Sequence, residues 1–282
     1  MKLIDIETSQ VNVFANIINI LNNFIPETNI EFIKDPDLSS DNKNIQKTPV
    51  IIICAIDPSL GMYVKVGLYS NAFKKYIMNT ESYTAGIRID DLKIYMKNAI
   101  KNGISDVLHI QNDAENDKYI VFNMVNINNS LLYESMCKFR LLDIKTRKLN
   151  TVEDPEISVT INCNAFHKAI RDLYKISSFV EIICDASQLV IESKSDIESK
   201  SDMVIHRKIF KVSDNTRIDI ISQSDNKTVV HGTISHRYFD ALNDCSLLCE
   251  NMKILLKNNF PIILKYNIED IGEIKAVISN TK

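Results

Sequence analysis

Apolar residues recur along this chain with two periods, one suited to strands and one to helices. Residues 2–6 alternate as a short strand, and residues 8–24 place Val11, Phe14, Ile18, Leu21 and Ile25 at helical spacing before Pro26 stops the helix. Strands are expected at 29–34, 49–56 and 62–69, with the polar, turn-rich stretch 35–48 between the first two as a surface loop. A helix over 90–102 follows, opened by Asp90 and Asp91 and closed by Gly103, and then strands at 106–111, 118–126 and 131–140. After a charged stretch at 141–156 the order returns. A strand at 157–162 leads to a helix at 164–177, then strands at 180–185, 188–193, 203–212, 216–222 and 228–235, a helix at 236–247, and strands at 251–257, 261–267 and 273–279. The six-residue tandem in IESKSDIESKSD (191–202) reads as a loop.

That return is a repeat. Gly86 to Ile110 (GIRIDDLKIYMKNAIKNGISDVLHI) and Gly232 to Leu256 (GTISHRYFDALNDCSLLCENMKILL) run without a gap from glycine through an extended stretch, a helix and a turn into a strand. Phe14 to Phe32 and Phe166 to Cys184 share apolar positions at Phe14/Phe166, Ile18/Ile170, Leu21/Leu173 and Ile30/Ile182. Two copies of one unit are implied: a domain over 1–140, a connector over 141–156 and a domain over 157–282. Two helices and about seven to nine short strands per copy predict an α+β fold with helices packed on antiparallel sheets.

Composition narrows the class. Hydrophobic content of 45% and charged content of 24% are globular, and 282 residues suffice for two cores. The cysteines (Cys54, Cys137, Cys163, Cys184, Cys245, Cys249) form no CxxC pair and have no histidine at ligand spacing, so buried, reduced thiols are expected and no metal. Asp5 and Glu7 interrupt the first apolar stretch, so no signal peptide is read, and no run suits a membrane span. The sequons at Asn128 and Asn226 are read as chance matches.

The net charge of -3 excludes a protein that coats nucleic acid with its whole surface. It leaves room for one that gathers cations on one face. Lys93, Lys97 and Lys101 are spaced i, i+4, i+8, and Lys168, Arg171 and Lys175 are spaced i, i+3, i+7, so each set forms one stripe of its helix. A lone stripe is ordinarily just a solvated helix face, but two on corresponding surfaces of a duplicated fold suggest segregated charge. The first helix has Asn16, Asn19 and Asn23 where its counterpart has Lys168, Arg171 and Lys175, and the last offers Arg237 beside Asp240 and Asp244. No Walker loop, GxGxxG, GxSxG or HExxH occurs, and the five histidines have no recurring carboxylate partner. A binding module is expected, not an enzyme, with no catalytic residues and no cofactor.

Four segments carry a resemblance: PIILKYNIEDIGEIKAVIS (261–279), FHKAIRDLYKIS (166–177), VIIICAIDPSLGMYVKVGLYSNAFKKY (50–76) and the connector RLLDIKTRKLNTVEDPEIS (140–158). With these the chain resembles the proliferating cell nuclear antigen family, the DNA sliding clamps. The resemblance implies a ring-forming DNA clamp fold, a homotrimer with helices lining a central hole and double-stranded DNA threaded through it. It places Lys93, Lys97, Lys101, Lys168, Arg171, Lys175 and Arg237 toward DNA. It implies a pocket for the short clamp-binding peptides of a DNA polymerase, a clamp loader and repair proteins, formed by Ile56, Leu60, Gly61, Leu149, Val152, Pro261, Val277, Ser279 and Asn280. Val277 stands where the family usually has an aromatic, Asn280 where proline is usual and Leu60 where a polar residue is usual. Subunits would join the strand near 131–140 to that near 203–210 of the next chain. The site of action would be the nucleus, or a cytoplasmic replication site for a viral protein. A viral processivity factor working as monomer or dimer, and a checkpoint-type heteromeric clamp subunit, share the same fold.

Overall fold

Alternation at the N-terminus builds β1 (Ile4–Thr8), which buries Ile4, Ile6 and Thr8 and leaves Asp5 and Glu7 partly exposed. The structure is a computed structural model that describes residues 2–35, 48–127, 133–145, 149, 153–195, 204–212, 218–222 and 230–280. Residues 36–47 of the loop expected at 35–48, residues 196–202 of the 191–202 tandem, both sequons and Val152 lie outside the described residues. The chain divides into two units. One comprises Met1–Ile56, Lys65–Lys148 and Ile268–Ile274; the other comprises Asp57–Val64, Leu149–Asn267 and Lys275–Lys282.

In the first unit, α1 (Val11–Asn22) follows β1, then β2 (Glu27–Ile33), β3 (Ile51–Ile56), β4 (Met62–Leu68), β5 (Lys75–Met78), β6 (Ser82–Arg88), α2 (Ile89–Lys101), β7 (Val107–Asn112), β8 (Tyr119–Asn126) and β9 (Tyr133–Arg140). One sheet has the order β5-β1-β7-β8-β9, and β4, β3, β2 and β6 lie side by side in another. The two helices pack together, α1 burying Phe14, Ile17, Ile18 and Leu21 and α2 burying Ile89, Leu92, Met96 and Ala99. Asp90 and Asp91 in the first turn of α2 and Lys101 in its last complement the helix dipole. Its C-terminus closes with Gly103 at φ +77°, the Gly103 amide on the Ile100 carbonyl and the Ile104 amide on the Ala99 carbonyl, both at 2.9 Å.

The second unit repeats the order: β10 (Ile157–Asn162), α3 (Cys163–Leu173), β11 (Phe179–Cys184), β12 (Gln188–Lys194), β13 (Ile205–Lys211), β14 (Asp219–Ser222), β15 (Val230–Ser235), α4 (His236–Ala241), β16 (Asn251–Leu256), β17 (Ile262–Ile268) and β18 (Gly272–Ile278). Its sheets run β13-β12-β11-β15 and β14-β10-β16-β17-β18. The Asn162 side chain caps α3 by accepting from the Ala165 amide at 2.9 Å. Phe166 meets Phe239 of α4 edge-on at 5.8 Å in the core.

Three expectations are corrected. The helix expected at 236–247 stops at Ala241 and continues as a 3-10 turn over Asn243–Leu247, because Leu242, Cys245 and Leu248 bond three residues back and Ser246 Oγ competes for the Asn243 carbonyl. The helix expected at 164–177 ends at Leu173, where the amides of Tyr174 and Ile176 also turn back to the third preceding carbonyl. Strand β5 was not expected, and β6 was expected only as an extended stretch from Gly86 onward. β6 contains Ala85 and Gly86, poor strand formers, and tertiary pairing with β2 overrides them. Gly86 is required there: a Cβ would fall 2.2 Å from the Leu142 carbonyl oxygen, whose residue also donates its amide to the Gly86 carbonyl at 2.8 Å.

Candidate nucleic-acid interface and partner cleft

Helix α2 turns Leu92, Met96 and Ala99 inward, which leaves Lys97 and Lys101 exposed and Lys93 partly so. Helix α3 buries Phe166, His167, Ile170 and Leu173 and exposes Lys168 and Arg171. Lys175 is exposed too, but sits in the turn beyond Leu173 and not on the helical stripe. Among the described residues none of these six cations forms an ion pair or a hydrogen bond. Near Lys168 and Arg171 the Asp172 carboxylate is already engaged: it pairs with Lys208 of β13 at 2.9 Å, and that hydrogen bond lowers its pKa.

Arg237, expected with them, does something else. Its guanidinium donates to Asp57 Oδ2 at 3.4 Å, to Ser59 Oγ and to Tyr238 Oη at 2.5 Å, and lies 4.6 Å from the Tyr238 ring centre. This cluster anchors the turn that carries Leu60, at φ 60°, and Gly61, where a Cβ would meet Tyr238 Oη at 1.8 Å. The sequence could not reveal it, because Asp57 and Arg237 are brought together only by the fold.

A cleft of about 270 Å³ opens in the second unit between the segment before β10 and the β16–β17 hairpin. Pro155, Leu255, Phe260, Pro261, Ile263 and Val277 make it apolar. Asn259 at φ 60° tightens the hairpin and sets Phe260 at the rim, 53% exposed, with the Asn280 side chain donating to its carbonyl at 2.8 Å. Three ion pairs pin the segment over the cleft: Glu153 to Lys265 at 3.0 Å and to Lys275 at 2.6 Å, and Asp154 to Lys257 at 2.7 Å. Burial works against the Glu153 charge, but the two lysines outweigh it and hold its pKa below the ordinary value.

Of the residues expected in a peptide pocket, Pro261 and Val277 line this cleft. Leu60 and Leu149 are exposed, Ile56 is partly buried, and none of the three is in its wall. Phe260 and Ile263 were not anticipated, although the turn in LKNNFP before an alternating strand was a usable signal. Among the described residues no three His, Cys, Asp or Glu side chains gather as metal ligands, and no helix is long and apolar enough to cross a membrane.

Residues 151–281 match the model of the proliferating cell nuclear antigen C-terminal domain. A probable DNA polymerase sliding clamp of Acanthamoeba polyphaga mimivirus is 22% identical over 256 residues, covering 88% of this chain and 52% of that protein. The chain thus spans about half of that relative's length. A probable DNA polymerase sliding clamp 1 of Paramecium bursaria Chlorella virus 1 is 23% identical over 229 residues, 81% of this chain and 83% of its own. Among solved structures, the proliferating cellular nuclear antigen of Entamoeba histolytica superposes with a TM-score of 0.79 at 14% identity, with both chains fully covered. That of Thermococcus kodakaraensis gives 0.78 at 17% identity, over 99% of this chain and 100% of its own. The chain therefore has the clamp fold throughout.

Proposed function

We propose that this protein is a DNA sliding clamp, because residues 151–281 match the model of the proliferating cell nuclear antigen C-terminal domain and the clamp fold spans the chain. It works as a non-catalytic processivity factor: three copies close around duplex DNA and tether a polymerase at the replication site. The observation that carries this reading is the set of unpaired cations on α2 and α3 in a chain whose net charge is -3. Exposed lysines and an arginine at helical spacing meet phosphates diffusely, without reading bases, which is what sliding needs. Lys93, Lys97, Lys101, Lys168 and Arg171 supply this contact from the helices and Lys175 from the turn. Arg237 serves the 57–61 turn instead.

The apolar cleft is the proposed seat of the tethering peptide, whose hydrophobic anchors would pack on Pro261, Ile263 and Val277 under the Glu153 segment. Terminal strands β9 and β13 support ring closure. Both are last in their sheets, and Met136 on the first and Ile209 on the second are exposed.

Retention on nicked circular DNA against linear DNA, after loading and gel filtration, tests the proposal. A clamp is kept on circles and lost from open ends. Equal loss from both would overturn the ring. The Lys97→Glu/Arg171→Glu double variant is expected to lower retention several-fold and to flatten its salt dependence, since each lost phosphate contact removes about one unit of slope in log K against log salt.

A further inference from the structure

Two thiols that the DNA reading does not use face each other beneath α3. Cys163 is the first residue of that helix and fully buried; its amide donates to the Glu250 carbonyl at 2.8 Å, which sets it against the segment leading into β16. Cys249, in that segment, is partly exposed, and its thiol shares a hydrogen bond with that of Cys163. The Cys249 sulfur also lies 3.6 Å from the carbonyl oxygen of Cys245, whose own side chain is fully buried. Cys249 is thus the more accessible residue of the two and Cys163 the enclosed one, with the Cys163–Glu250 backbone bond holding their segments together.

From this geometry we propose that Cys249 and Cys163 are a hydroperoxide-sensitive pair that closes to an intramolecular disulfide. The Cys249 thiolate attacks the distal peroxide oxygen, so that an S–O bond forms, the O–O bond breaks, and hydroxide leaves and is protonated to water. Cys163 then attacks the Cys249 sulfur; the S–S bond forms, the S–O bond breaks, and hydroxide leaves with the Cys163 proton as a second water. Two thiols lose two electrons and the peroxide gains them. The roles follow from the asymmetry of the pair. The hydrogen bond from Cys163 lowers the Cys249 pKa against the effect of burial, while Cys163 itself is raised, by the same bond first and by burial second. A closed disulfide ties the start of α3, the helix that bears Lys168 and Arg171, to the start of β16.

The full chain, reduced and then treated with hydrogen peroxide, would be alkylated, digested without reductant and mapped by mass spectrometry. The expected product is a peptide pair joined through Cys163 and Cys249, two hydrogens lighter than the separate peptides and released by dithiothreitol. Cys249→Ser removes the pair and leaves Cys163 unoxidised, whereas Cys245→Ser leaves the pair intact. Oxidation of Cys249 to the sulfinic or sulfonic acid without a linked peptide, or linkage of Cys249 to Cys245, would overturn the proposal. So would no loss of thiols in the wild-type chain.

Discussion

His167 is the residue whose burial has the clearest thermodynamic consequence. It is 2% exposed, stacks on Tyr266 and places Nε2 3.2 Å from that hydroxyl. Burial, helped by the Arg171 charge, pushes its pKa down to about 4. An unfolded histidine titrates near ~6.5, so between these values the unfolded chain binds a proton that the folded chain refuses. Stability is complete above the unfolded value and falls as pH drops toward the folded one, by about 3 kcal/mol at the lower limit. His236, also buried and lowered, adds to the same slope. Urea midpoints measured from neutral pH down to about pH 5 should fall, and His167→Gln should flatten that fall. An unchanged slope in the variant would contradict the assignment. At this scale spacing placed Lys93, Lys97 and Lys101 on α2 and Lys168 and Arg171 on α3, but it also put Lys175 on the second stripe, where the chain has already left the helix. It could not tell that Arg237 is spent on Asp57, because pairing across sequence is a property of the fold.

The elements show where periodicity succeeds and where it fails. Helix α2 was legible to within a residue because its apolar spacing, acidic first turn and terminal glycine agree with one another. The last helix was overread: Leu242 and Cys245 keep helical spacing, yet the polar Asn243, Asp244 and Ser246 favour a 3-10 turn. Strands β5 and β6 were passed over although Tyr76, Ile77, Tyr83, Thr84 and Ile87 favour strands, because β5 has only four residues and Ala85 and Gly86 interrupt β6. Two substitutions test the element contacts. Gly86→Ala puts a methyl against the Leu142 backbone and should cost about 1–3 kcal/mol, read as a lower thermal midpoint. Glu153→Gln removes the carboxylate that Lys265 and Lys275 share, and Lys275 is only 7% exposed. Because Glu153 is itself about a third open to solvent, a loss of about 1–2 kcal/mol is expected, with weaker peptide capture by the cleft. A variant as stable as wild type that binds peptide equally well would show that these ion pairs do not hold the segment over the cleft.

For the whole molecule, duplication does more than double a core. Among the described residues each half of the chain carries nine strands and two α-helices, yet the shared apolar pattern carries different charges: Lys168 and Arg171 stand on the first helix of their half, and Lys93, Lys97 and Lys101 on the second of theirs. Under the proposed sliding-clamp function, the strands would close the ring and the helices would carry the sliding contact, so closure would fall to the sheet edges. Strand β13 offers Ile205 and Ile209, flanked by Val204 and Val212, all four exposed, and β9 offers Met136 among Glu134, Lys138 and Arg140. An unpaired strand of that length with apolar side chains invites pairing with another chain. The chain mass is 32.2 kDa, so a homotrimer should elute with about three times that mass in light scattering at micromolar concentration. Ile209→Lys, which places a charge in the middle of β13 without touching a helix or the cleft, should shift the mass to one chain while the circular dichroism spectrum stays native. Retention on circular DNA should be lost with it. A wild-type mass of one chain would remove the homotrimer, and a charged β13 that still assembles would place closure on another edge.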